Sequence, residues 1–120
     1  MSTKSKQTSE SSTRICVPIC APNLAEMEAR VQRAATVADV IELRVDCLSE
    51  QDVSKFLDRV SQMVEGARVP VIITFRPEEE GGYRALTVNE RKQFWQSMKP
   101  SQNVLFDIEY QLATTEAVIR

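Results

Sequence analysis

The runs Ile41-Glu42-Leu43-Arg44-Val45-Asp46 and Val71-Ile72-Ile73-Thr74-Phe75-Arg76 place ionised side chains inside segments that read as buried β-strand. A charge in an apolar strand is expensive unless it is paired or put to use. Glu42, Arg44 and Arg76 are therefore either partners in an interior ion network or the floor of a site for a polar ligand. Side chains alternate along a strand. Glu42 and Arg44 then share one face, opposite Ile41, Leu43 and Val45. Ile72, Thr74 and Arg76 share another, with Arg76 at the C-terminal end. Further on, Asp107 and Glu109 stand opposite Phe106 and Ile108. A guanidinium fork matches a carboxylate bidentately, so two arginines and a glutamate could grip a small, oxygen-rich anion. The pattern leaves both readings open.

Other chemistries find less support. The 120 residues contain no histidine, the commonest general base and metal ligand. Cys16, Cys20 and Cys47 are an odd number without C-x-x-C spacing. They read as reduced core thiols of a cytoplasmic protein, and no metal site is expected. Glu78-Glu79-Glu80-Gly81-Gly82 lacks the glycine spacing of a phosphate cradle and reads as a solvated acidic turn whose glycines supply positive φ. The net charge of -2 makes no electrostatic case for nucleic acid or an anionic membrane. No apolar run approaches the roughly 18 residues of a membrane span. Residues 1–13 are polar with no apolar core of a secretory signal, and read as a disordered tail.

The elements that must position these charges alternate. Arg14–Cys20 is a candidate strand, with Pro18 requiring an edge or strand end. Asn23 and Glu26 read as a capping pair for a helix with Leu24, Met27, Val31, Ala34, Ala35 and Ala38 at helical spacing. Val40–Val45 is the second strand. Ser49 caps a second helix through Val53, Phe56, Leu57, Val60 and Val64, which Gly66 should stop. Val69–Phe75 is the third strand, and Thr87 with Glu90 forms a capping box for a third helix carrying Phe94, Trp95 and Met98. Asn103–Glu109 is the fourth strand, and a fourth helix opens at Thr114 or Thr115. Strand–helix repeats of roughly 30 residues predict an α/β fold of parallel βαβ units. The pattern fits an open doubly wound sheet or the first half of a (β/α)8 TIM barrel, which needs about 250 residues. In such folds ligands bind at the carboxyl edge of the strands, where this charge collects.

Ile15-Cys16-Val17-Pro18, Glu42-Leu43-Arg44-Val45-Asp46, Thr74-Phe75-Arg76 followed by Glu80-Gly81-Gly82, and Asp107-Ile108-Glu109 together resemble type I 3-dehydroquinate dehydratase, in that family's order and spacing. The resemblance runs from about residue 14 to the end. It implies that residues 14–120 form the N-terminal half of a (β/α)8 barrel. It also implies a shikimate-pathway lyase that dehydrates 3-dehydroquinate to 3-dehydroshikimate, through a Schiff base on a barrel lysine with a histidine as proton shuttle and without external cofactor. By resemblance, Glu42, Arg44 and Arg76 are substrate-binding positions, Glu80 orients the catalytic histidine, and Asp107 and Glu109 support the site. The histidine and the Schiff-base lysine belong to later strands of the family. Lys4 and Lys6 lie in the tail, Lys55 in the second helix, and Lys92 and Lys99 in or after the third, none of them at a strand end. The expectation is a truncated, inactive half that self-associates through open sheet edges. The alternative is a non-catalytic module that binds or senses a shikimate-pathway intermediate.

Overall fold

Helix caps and apolar strands take up the alternation expected of them. The computed structural model describes residues 13–108. The order is β1 (Cys16–Ile19), α1 (Leu24–Ala34), β2 (Val40–Arg44), α2 (Glu50–Ala67), β3 (Val71–Thr74), α3 (Val88–Ser97) and β4 (Val104–Asp107). Single 3-10 turns occupy Val45–Cys47 after β2 and Glu78–Glu80 after β3. The four strands pair in parallel in the order β1-β2-β3-β4. Pro18 lies on β1, an edge of the sheet, where its missing N–H is tolerated. The tail up to residue 12, Glu109 and the fourth helix lie outside the described residues.

Local signals start α1 and α3, and tertiary contacts shape both ends of α2 and the end of α1. Asn23 Oδ1 accepts from Glu26 N at 2.9 Å and starts α1. Thr87 and Glu90 form the reciprocal box that starts α3. At α2, Ser49 holds the cap position but its side chain makes no cap bond. Asp52 turns away to the neighbouring helix, where its Oδ2 accepts from Leu24 N at 2.7 Å and ties the starts of α1 and α2 together. Gly66 does not stop α2. The helix runs one residue further because Ala67 is buried on its inner side, and Arg68 takes the left-handed turn at φ 62°. α1 ends at Ala34, four residues short of the periodic pattern, because Ala38 is buried in the connection to β2 with its N–H on Ala34 O at 2.8 Å.

The helices cover one face of the sheet. Ile41, Leu43, Val71 and Ile73 on that face are at most 1% exposed. Phe94 of α3 stacks on Phe75 at 4.1 Å between ring centroids, and Phe56 of α2 meets Phe94 at 6.3 Å. Trp95 closes against Phe106 at 5.3 Å, and Met27 and Val31 of α1 join the same core. Full burial of each such side chain is worth about 1.5–3 kcal/mol. No described helix covers the opposite face, which carries Pro18, Glu42, Arg44, Ile72, Thr74, Leu105 and Asp107 by strand alternation. Leu105 is 62% exposed there. No described helix is long and apolar enough to cross a membrane.

Candidate active site

Strand register sets the first row of the site. Arg44 of β2 pairs with Thr74 of β3, which pairs with Asp107 of β4, so the three side chains line up on the uncovered face at the carboxyl edge. Glu42 lies one alternation lower on β2, within reach of Thr74, whose Oγ1 donates to Glu42 Oε2 at 2.7 Å. The same hydroxyl stands 3.4 Å from Asp107 Oδ2. A hydroxyl has one hydrogen to give, and the shorter contact is the better bond. Just beyond β3, Arg76 donates from Nε and Nη2 to Asp107 Oδ2 at 3.2 and 2.7 Å.

Asp46 organises the second half. Its residue is 0% exposed, in the 3-10 turn after β2. Its carboxylate accepts from Arg44 Nη2 at 3.0 Å and from the Tyr83 backbone N–H at 2.9 Å. Arg44 Nε and the Arg76 N–H approach it at 3.5 Å, the limit of a useful bond. Arg44 Nη2 also donates to Gly81 O at 3.3 Å. Arg84 locks the turn from below, its Nη1 donating to the carbonyls of Asp46 at 3.0 Å and Leu48 at 2.6 Å. The loop 76–84 is thus sewn onto the end of β2.

The two glycines of that loop serve different needs. Gly81 sits at φ 87°, in the left-handed region. Gly82 is needed for close approach instead, since a Cβ there would overlap the Arg76 carbonyl. Its own N–H donates to Pro77 O at 2.8 Å. Glu80 lies exposed in the 3-10 turn immediately before them.

The cysteines correct an expectation. Cys20 and Cys47 form a disulfide, and Cys16 is an exposed free thiol. Parallel pairing of β1 with β2 brings the two strand ends together, and the 3-10 turn swings Cys47 to within 5.2 Å of Cys20 between Cα atoms. That separation suits a disulfide, and no short-range motif in the sequence announces it.

A family profile described as type I 3-dehydroquinase matches residues 15–119. The chain belongs to the type I 3-dehydroquinase family. Among curated relatives, the 3-dehydroquinate dehydratase of Methanococcus maripaludis strain C6 is 29% identical over 98 residues, which are 79% of this chain and 40% of that protein. The chloroplastic bifunctional 3-dehydroquinate dehydratase/shikimate dehydrogenase of Arabidopsis thaliana is 27% identical over 101 residues, or 83% of this chain and 16% of that one. The solved type I 3-dehydroquinate dehydratase of Clostridium difficile, carrying covalently modified comenic acid, superposes with a TM-score of 0.74 at 21% identity, covering 88% of this chain and 44% of that one. The Enterococcus faecalis enzyme gives 0.70 at 24% identity, covering 88% and 48%. These likenesses show the fold, and this chain spans less than half the length of the dehydroquinases it matches.

Within this dehydroquinase-family chain, the structure brings Glu42, Arg44, Arg76 and Asp107 together around Thr74 and Asp46. It leaves Glu80 beside the cluster without drawing it in. Asp46, Thr74 and Arg84 carry contacts that reading the sequence did not assign. Two of the three had a usable signal: Asp46 continues the parity of Glu42 and Arg44, and Thr74 lies between Ile72 and Arg76. Arg84 had none, because its partners are main-chain carbonyls 36 and 38 residues away.

Proposed function

We propose that this chain supplies part of the substrate grip of a 3-dehydroquinate dehydratase, with Glu42, Arg44 and Arg76 holding the carboxylate and hydroxyls of 3-dehydroquinate. Asp107 and Glu109 support them. Glu80 orients a catalytic histidine contributed from outside these 120 residues, which contain none. The observation that carries the reading is the single-face row of Arg44, Thr74 and Asp107, with Arg76 beside it, at the carboxyl edge of a parallel sheet in a chain of this family. A guanidinium has five N–H donors. Asp46 and Gly81 take only Nε and Nη2 of Arg44, and Nη1 is the group assigned to the ligand.

The dehydration removes water from the ring of the substrate, and the imine that would accept electrons in that step needs a lysine in a desolvated or electropositive pocket. The described lysines do not fit that role: Lys55 lies in α2, Lys92 in α3, and Lys99 just after α3. The reading therefore assigns binding to this chain and the covalent step to other residues. Among the described residues β1 and β4 are the outer strands of the sheet, and their edges are where further strands, or a second copy, would pair.

Titration calorimetry of 3-dehydroquinate into the purified chain tests this. Loss of one charge-assisted contact, worth about 1.5–3 kcal/mol, should weaken binding roughly tenfold to a hundredfold in Arg76→Ala and in Arg44→Lys. No heat at millimolar ligand, from protein shown to be folded, would mean that these charges are structural only. A borohydride-stable adduct on this chain would overturn the assignment of the covalent step elsewhere.

A further inference from the structure

We propose that the Cys20–Cys47 disulfide is an exchange site for a dithiol, attacked at Cys20, and that its reduction loosens the turn carrying Asp46. Cys20 is exposed as a residue, whereas Cys47 is 5% exposed, and this difference puts the attack of an incoming thiolate on the Cys20 side of the bond. Its attack on Cys20 Sγ forms a mixed disulfide and breaks the Cys20–Cys47 bond. The electron pair leaves on Cys47 Sγ, which takes a proton. The second thiolate of the reductant then attacks the reductant's own sulfur in the mixed disulfide and releases Cys20 as a thiol. The protein gains two electrons and two protons, and the dithiol becomes a disulfide.

Two contacts hold the β1–α1 connection near the start of α2 without help from the sulfurs, and a third ties Cys20 itself to α1. Ser49 N donates to Pro22 O at 3.0 Å, Leu24 N to Asp52 Oδ2 at 2.7 Å, and Arg30 Nη1 to Cys20 O at 3.1 Å. The reduced thiols therefore stay close, and the bond can reform in place. Cys16 does not compete. It lies four residues before Cys20, or roughly 13 Å along an extended strand, beyond the reach of a disulfide.

The coupling is covalent and short. Cys47 follows Asp46 in one 3-10 turn. Asp46 in turn accepts the Tyr83 N–H at 2.9 Å and Arg44 Nη2 at 3.0 Å. Freeing Cys47 removes the covalent restraint on that turn and leaves it to Arg84 on the Asp46 and Leu48 carbonyls, the Leu48 N–H on Val45 O, the Asp46 carboxylate bonds and the burial of Val45 and Leu48. The Tyr83 amide is thus a reporter that needs no ligand.

The experiment uses the full chain, oxidised in a glutathione-disulfide buffer and then treated with dithiothreitol. Non-reducing peptide mapping should show the 20–47 cross-link with Cys16 free. Brief treatment with reduced glutathione, a monothiol, should leave its adduct on Cys20. Hydrogen exchange at the Tyr83 amide should quicken about fivefold or more on reduction, the low end of coupling between sites. Val71, whose amide is bound to Asn103 O at 2.8 Å in an interior strand, exchanges only through global unfolding; it quickens with the overall loss of stability and stays the better protected of the two in both states. Cys20→Ser, at an exposed position, should exchange at the reduced rate with or without dithiothreitol. Absence of the cross-link, an adduct on Cys47, or unchanged Tyr83 exchange in protein proven to be reduced would each overturn the proposal.

Discussion

Asp46→Ala should be the most damaging single change in the site, and its effect can be worked from the contacts. The carboxylate is fully buried and takes two good hydrogen bonds, one from the Arg44 guanidinium and one from the Tyr83 amide. Breaking a buried ion pair by removing one partner costs about 3–5 kcal/mol. The Arg44 side chain is 23% exposed and can recover part of its hydration, which moves the estimate to the low end. The Tyr83 N–H loses its acceptor, which costs about 1–3 kcal/mol if water does not replace it. A loss of about 3 kcal/mol is expected, and about 1–2 kcal/mol for Asp46→Asn, which keeps one acceptor oxygen. Urea denaturation reads this directly: with a slope of ~1.5 kcal/mol/M, the midpoint of Asp46→Ala falls by about 2 M at unchanged slope. Arg44→Met combined with Asp46→Ala should cost less than the sum of the single changes, because the two residues interact directly. A midpoint shift below about 0.5 M for Asp46→Ala, or additivity in the cycle, would refute the view that Asp46 holds the β2 end and the 76–84 loop together.

Three further outcomes follow from the packing. Gly82→Ala should destabilise by about 1–3 kcal/mol, as an overpacked site does, and more than Gly81→Ala, which meets open space and only the strain of positive φ; thermal melts of the pair give the order. Phe56→Ala removes a fully buried ring stacked on Phe94 and should cost about 3–5 kcal/mol by the same assay. Reducing the Cys20–Cys47 bond, which spans 27 residues, should lower stability by about 3–4 kcal/mol on the chain-entropy account, measured as the difference between denaturation curves with and without dithiothreitol.

The fold was legible because its signals are local and repeated. Asn23 and Thr87 cap where their side-chain chemistry allows, and the period-two pattern around Ile41 and Ile73 marks the helix-covered face. What could not be read depends on contacts between distant segments. Gly66 looked like a helix stop because nothing local revealed that Ala67 would be buried. Ser49 looked sufficient as a cap because nothing local revealed that Asp52 would tie the start of the helix to Leu24, 28 residues away. The cysteines looked reduced because the pairing of β1 with β2, not any spacing motif, brings Cys20 to Cys47. The row of Arg44, Thr74 and Asp107 stands between these cases: the face of each residue followed from alternation, but the register that aligns them did not.

The two readings left open by the sequence, an interior ion network and a ligand grip, describe different members of one cluster. Asp46 takes its bonds from groups of the protein itself and is sealed from water, so its role is structural. Arg44 and Arg76 keep side-chain exposures of 23% and 37% while each is anchored on a carboxylate. An anchored guanidinium has lost much of its rotamer freedom before any ligand arrives, which lowers the entropy cost of binding. The carboxylates of Glu42, Asp46 and Asp107 match the guanidiniums of Arg44, Arg76 and Arg84 in number, and Glu78–Glu80 stand in the adjoining turn, so the cluster has no excess of positive charge to draw an anion from a distance. Recognition at such a face rests on the fixed geometry of its donors, and that geometry is what the buried aspartate and the turn around it maintain.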